Sequence, residues 1–282
     1  MMKKRLLIWC ALLMFASAGA ASAQTFYPQC EALQGEGAPD AAMKKNLDAL
    51  KGSDPKAREQ AIKQLSGTCD KRVTESLVAL LGEKDPAVRM AVIETLGRLG
   101  DRAAIDPMIE ALYQEPDWKV KDVYASALAS FQIYRASYAV LNTIANPQSQ
   151  KVTDEVELRT RCHAVLLVNQ LRDVQFSRKA VSFMLIFVAY PEEPLRRIAE
   201  ETMYALRDTR NGKHELTGIL KQSHYAEFQI LAANWIGRLG IEDARFLLEQ
   251  MTATEAKGLN PRVQKAAKDA LAALDKKQAA SQ

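Results

Sequence analysis

DPAVRMAVIETLGRLGDRAAIDPMIEAL, residues 85–112, is the stretch from which the fold can be read. Asp85 stands where a helix N-cap belongs, and Pro86 takes the first helical position, where a missing N–H costs nothing. Val88, Ala91, Val92, Thr95, Leu96 and Leu99 follow at i, i+3, i+4, i+7, i+8 and i+11, which makes one apolar stripe. Gly100 supplies the left-handed residue that ends this helix. Ile105, Met108, Ile109 and Leu112 form a second, shorter stripe. Two helices joined by so tight a turn leave apolar surface that only a neighbouring copy can cover.

Copies recur along the chain. With Arg89 as register mark, equivalent positions are Arg58, Arg89, Lys121, Arg161, Arg196, Gln229 and Gln264, at intervals of 31, 32, 40, 35, 33 and 35 residues, which counts seven units. Seven residues further on stand Leu65, Leu96, Leu128, Val168, Met203, Ile236 and Leu271, and LGRLG at 96–100 returns as IGRLG at 236–240. Over residues 53–282 this pattern resembles the HEAT repeat superfamily, in the HEAT-like subtype first described in phycobilisome lyases. The resemblance implies an all-α fold, a right-handed α-solenoid of about seven HEAT-like helical hairpins. First helices would line its convex side and second helices its concave side. Such repeats serve scaffolds, adaptors and a few enzymes, so they fix function only by analogy.

The first 23 residues set the expected compartment. Lys3, Lys4 and Arg5 precede an apolar run from Leu6 to Ala18, and Ala21-Ser22-Ala23 precede Gln24, the pattern of a secretory signal peptide cut after Ala23. An uncleaved membrane anchor is the competing reading, but the run is shorter than the ~20 residues a spanning helix needs. Cys10 lies inside the run, not behind a small residue at its end, so no lipoprotein box is present. The expected mature protein is periplasmic or secreted and meets the membrane only transiently, through its signal. Three of the 38 basic residues and none of the 34 acidic ones lie in that segment, which leaves 35 against 34. A chain with no basic excess and no Lys/Arg stripe has little claim on nucleic acid, whose binding rests on phosphate neutralisation.

Residues 24–52 read as an N-terminal cap segment, in which Asp40 starts a helix whose Met43, Asn46, Leu47 and Leu50 face one way. Residues 53–282 read as one repeat domain, since a stacked array escapes the size limit of a globular core. Pro261–Leu274 repeats only a first helix, and Asp275–Gln282 reads as a polar tail that frays. The 40-residue interval places an insertion at Ala145–Glu155, and a second polar connection lies at Thr252–Asn260. VSFMLIFVAY, residues 181–190, is apolar almost all round and reads as a buried helix, with an exposed docking groove as the alternative.

Asp70, Asp101, Asp173 and Asp208 occupy turn positions, and Arg58, Arg89, Arg161 and Arg196 sit on the first helices of the same units. Their joint recurrence suggests a structural ladder in which each arginine forks onto a turn carboxylate. Cys30, Cys69 and Cys162 remain after the signal; a Cys30–Cys69 disulfide would tie the cap to the first repeat, with Cys162 a lone helix thiol.

No catalytic, cofactor or metal constellation is legible. His163, His214 and His224 include no i, i+4 pair. Deoxyhypusine hydroxylases, which share the repeat type, need several His-Glu pairs for a di-iron site, and only His214-Glu215 occurs here. Tyr134, Tyr138, Trp118 and Trp235 read as core packing, with ligand stacking as the alternative. The sequence thus points to a protein-binding scaffold or adaptor of the bacterial envelope, not an enzyme and without a cofactor. Glu110, Gln114 and Lys221, at polar positions of second helices, are candidate partner contacts. The competing readings are a HEAT-repeat enzyme related to deoxyhypusine hydroxylase or phycobilin lyase, and a membrane-tethered structural protein.

Overall fold

The computed structural model describes Cys30, residues 38–147, Val152, and residues 154–170, 176–209, 211–253 and 258–280. The signal segment, most of residues 24–37, Asp173, and residues 148–151 and 153 of the 145–155 insertion lie outside them. The described residues are helical: α1 Ala41–Ala49, α2 Pro55–Leu65, α3 Lys71–Val78, α4 Pro86–Leu99, α5 Ile105–Gln114, α6 Trp118–Ser130, α7 Tyr134–Ala139, α8 Glu155–Gln170, α9 Ser177–Phe187, α10 Glu193–Arg207, α11 Gly212–Gln222, α12 Ala226–Leu239, α13 Arg245–Thr252 and α14 Pro261–Ala279. Helix α7 continues directly into a π-helical turn, Val140–Ala145. Six hairpins, α2/α3 through α12/α13, and the single helix α14 make up the seven units. The chain divides into two compact blocks, up to Met108 and from Ile109, the division falling within α5.

The helices begin where the sequence caps them. Asp40, Asp54, Asp70, Asp85, Asp117, Asp154 and Asn260 each accept a hydrogen bond from a backbone N–H two or three residues on, at 2.7–3.0 Å. Proline occupies the first helical position after Asp54, Asp85 and Asn260. Gly100 and Gly240 end α4 and α12 with φ of 70°. Gln132 adopts the same left-handed region at φ 50° behind α6, where a side chain costs about 1 kcal/mol. Gln132→Gly is therefore expected to raise stability by up to about 1 kcal/mol, read as a higher urea midpoint at unchanged m-value.

In the N-terminal block α2 packs on α1 and α4, and α3 on α4, around Ile62, Leu65, Val73, Leu77, Val92 and Leu96. In the C-terminal block the first helices α6, α8 and α10 stack in succession, and the second helices α9 and α11 pack against each other. Ala180, Val181, Phe183, Met184, Leu185 and Phe187 of α9 are buried, so this helix lies in the core and not along an open groove. Tyr124 and Phe187 are among the largest fully buried side chains. The expected C-terminal tail is helical to Ala279: Val263, Ala266, Ala267, Ala270 and Leu274 dock α14, and the polar residues after Leu274 continue its last turn.

Among the described residues no ion pair joins a register arginine to a turn aspartate. Asp70 and Asp101 instead cap the next helical segment, through Arg72 N and Ala103 N, and Asp70 is also gripped by the Arg72 side chain at 2.6 and 2.9 Å. Asp208 pairs with its neighbour Arg207 at 3.0 Å, and Asp173 lies outside the described residues. Arg58 pairs with Glu83 at 2.6 Å, and Arg196 with Glu193. Arg89 donates to the carbonyls of Glu83 and Lys84. Arg161 donates to those of Ile144 and Asn146 and to the Glu157 carboxylate. Gln229, in the same register, donates to Leu220 O at 3.1 Å. Arg89, Arg161 and Gln229 thus supply donors to carbonyls at or after the end of the preceding helical segment, whereas Arg58 and Arg196 bind glutamates and no turn aspartate.

Cys30 and Cys69 are joined by a disulfide that spans 39 residues. Cys162 is a buried free thiol. Burial pushes its pKa from an ordinary 9.0 to about 12. In the unfolded chain the thiol ionises near 9, so its contribution to stability is complete below that pH and is lost as pH rises towards 12. A thiol reagent at pH 8 is expected to leave Cys162 unmodified in the folded protein and to modify it on addition of denaturant.

Candidate functional site

The described surface is most distinctive along the second helices of the C-terminal block. Helix α7 buries Ala136, Ser137 and Ala139, and the π turn buries Val140, Leu141 and Ile144. That choice of inward stripe turns Tyr134 and Tyr138 outward, 53% and 46% exposed, which corrects their expected place in the core. Their rings are nearly parallel, with centroids 6.3 Å apart. Both rest on Phe176, just before α9, at 4.7 and 5.7 Å. Asn142 of the π turn donates to Tyr138 O at 2.8 Å, and its side-chain oxygen accepts from Lys179 Nζ of α9 at 2.7 Å.

The strip continues from α9 to α11. Arg178 donates to Glu215 Oε2 at 3.0 Å and to Gln222 Oε1. Glu215 is buried, and this guanidinium supplies its counter-charge. Gly218 makes the path possible: a Cβ there would come within 2.8 Å of the Arg178 guanidinium. Tyr134, Tyr138, Lys179, Arg178 and Gln222 therefore form one continuous line over three successive second helices. Exposed aromatics beside oriented cations and amides suit recognition of another molecule, since a ring offers a large contact area at little entropy cost.

Of the predicted partner contacts, Glu110 and Gln114 are exposed on α5 with Tyr113 beside them, and Lys221 is exposed on the last turn of α11. Among the described residues no hydrogen bond or ion pair joins them. Trp235 is buried, edge-on to Tyr204 at 5.8 Å and under Arg238 at 4.1 Å. Arg238 reaches the Glu200 carboxylate, both bonds 3.1 Å, and holds its pKa below the ordinary value. Trp118 is only half-buried and carries two cations over its ring, Lys121 at 4.1 Å and Arg161 at 4.6 Å. Burial lowers the Lys121 pKa, and the Arg161 charge adds to the effect. His163 Nδ1 lies 2.7 Å from Asp122 Oδ1 across α6 and α8. Among the described residues no group of three or more His, Cys, Asp and Glu side chains could hold a metal ion, and no helix is long and apolar enough to cross a membrane.

The family model of HEAT repeats matches residues 43–129. Uncharacterized phycocyanin operon protein Z of Pseudanabaena tenuis is 34% identical over 84 residues, 30% of this chain and 41% of that protein. The chain thus spans about two fifths of the length of that relative. Among solved structures, the complex of CpcE and CpcF of phycocyanin lyase from Nostoc sp. PCC7120 is similar at 16% identity and a TM-score of 0.44, over 88% of this chain and 100% of that one. The archaeal HEAT-like repeats protein from Thermococcus onnurineus NA1 is similar at 14% identity and a TM-score of 0.38, over 85% and 99%.

Proposed function

We propose that this HEAT-repeat protein is an exported scaffold or adaptor that binds another protein in the bacterial cell envelope. The observation that carries the binding function is the exposed Tyr134–Tyr138 pair on the second-helix strip. Buried central aromatics dominate the affinity of protein interfaces, and a folded helix row offers them preorganised. Export rests on the signal pattern of residues 1–23 and gains support from the Cys30–Cys69 disulfide, a bond at home in oxidising compartments. Arg135 shares α7 with the aromatics, and Lys179 on α9 and Lys213 and Lys221 on α11 add basic side chains to the same layer, which suits docking.

The test uses the protein in cells, with a photo-crosslinking amino acid at position 138 and, as control, at Lys119 on a first helix. A discrete adduct from position 138 that is lost on Tyr134→Ala is the expected result, with a mature N-terminus at Gln24. No adduct specific to position 138 overturns the scaffold function; retention of residues 1–23 favours the tethered alternative. A bilin-handling role is a second reading, motivated by the relative from a phycocyanin operon. Absorption of the purified protein in the visible range would support it over docking alone.

A further inference from the structure

The two helix layers of the third to fifth repeats differ in charge although the chain as a whole is nearly balanced. The first helices α6, α8 and α10 carry seven Lys and Arg against six Asp and Glu. The second helices of the same three repeats, α7 with its π turn, α9 and α11, carry five, Arg135, Arg178, Lys179, Lys213 and Lys221, against the single acid Glu215. That acid is buried and already neutralised by Arg178. Among the described residues no carboxylate pairs with Lys179, Lys213 or Lys221, and all three are exposed. The absence of a basic stripe, inferred from the chain's total charge, is thus corrected on this layer.

We infer that the second-helix strip of the third to fifth repeats binds an acidic, extended peptide segment of a partner protein, its carboxylates on Lys179, Lys213 and Lys221 and an apolar or proline side chain on Tyr134 and Tyr138. This rests on the partner-binding function proposed above and specifies its chemistry. Charge complementarity selects the sign of the occupant, and the tyrosines require that it also carry an apolar group. Neighbouring helix axes lie about 8–10 Å apart, so three second helices span about 20 Å, the reach of roughly six extended residues. Nucleic acid would suit the same cations and rings, but the export proposed above would take the chain to a compartment where it is not the common partner. A flat anionic membrane would meet the lysines without a use for paired rings resting on Phe176.

The full mature chain is titrated into a fluorescein-labelled peptide, Glu-Glu-Leu-Pro-Glu-Glu-Leu-Pro, beside its glutamine counterpart, an oligothymidylate and phosphatidylglycerol vesicles. Saturable anisotropy with the acidic peptide, about tenfold or more tighter than with the glutamine peptide and weakening with added salt, is expected. Reversal of the three lysines to glutamate is expected to abolish it, and Tyr138→Ala to weaken it about tenfold, whereas Lys119→Glu on a first helix leaves it unchanged. Circular dichroism of each variant separates lost binding from lost fold. Equal binding of the two peptides, indifference to the lysine reversals, or saturable binding of the oligonucleotide or the vesicles in place of the peptide overturns the inference. If the acidic peptide fails while position 138 still captures a partner in cells, the scaffold function stands and its acidic occupant falls; if position 138 captures nothing, both fall.

Discussion

Replacement of Cys69 by serine is expected to cost the N-terminal block about 3–4 kcal/mol, because the Cys30–Cys69 bridge closes a 39-residue separation whose loop entropy the unfolded chain otherwise recovers. In a cooperative unit of roughly a hundred residues, 1 kcal/mol shifts the melting temperature by about 4–8 °C, so a fall of more than 10 °C in the first transition is the expected reading. The dependence on position follows from what the bridge holds. Cys30 precedes α1, which with its C-cap Leu50 contributes Met43 and Leu50 to the core, while Cys69 stands just before Asp70, the N-cap of α3. Without the bridge, α1 is held among the described residues chiefly by that small apolar contact with α2, and a helix of nine residues is marginal by itself. Hydrogen exchange is expected to accelerate first in residues 41–50, and a reducing agent should reproduce the effect in the parent protein but not in Cys69→Ser. A melting temperature unmoved by reduction would show that the bridge constrains nothing the core does not already hold.

The fold was readable because the sequence states it three times over: Asp and Pro at helix starts, Gly100 and Gly240 at helix ends, and apolar stripes at helical spacing between them. Side-chain partners were less readable, since the same residue type answers to different needs. Asp70 and Asp101 serve the following segment as N-caps, while Arg89, Arg161 and Gln229 serve the preceding chain end as donors. Those two needs produce a joint recurrence that imitates an ion-pair ladder. Tyr134 and Tyr138 were misplaced for a related reason: their i, i+4 spacing marks one helix face without saying which face is inward. The stripe Ala136, Val140 and Ile144, taken first, would have left both outside. The basic strip was hidden because first and second helices must be separated before their charges stop cancelling.

Gly237→Val is expected to loosen α14 from the array. Glycine inside a helix costs about 1 kcal/mol relative to alanine, so its presence in IGRLG demands a packing reason that the sequence by itself does not display. The reason is close approach: a Cβ at residue 237 would lie 2.9 Å from Ala270 Cα, 3.2 Å from Ala270 O and 3.2 Å from Ala273 Cβ. The nearest atoms are backbone, so relief requires α12 and α14 to separate. For Gly237→Ala the gain of about 1 kcal/mol in helix propensity opposes an overpacking cost of about 1–3 kcal/mol, and a modest net loss is expected. Valine adds two further methyl groups and loses most of the propensity gain, so the cost rises to several kcal/mol. It then cancels a large part of the roughly 5–8 kcal/mol that Val263, Leu274 and three alanines secure by burial on α14, so this helix opens far more often. Trypsin is expected to cut the valine variant at Arg262, Lys265 and Lys268 while sparing the rest of the fold, and the uncovered α12 surface should promote association. Gly82→Ala, where an added Cβ meets nothing within 4 Å, is the matched control and should change stability by less than about 1 kcal/mol. Equal proteolysis of the valine variant and this control would show that the helices can part without losing α14.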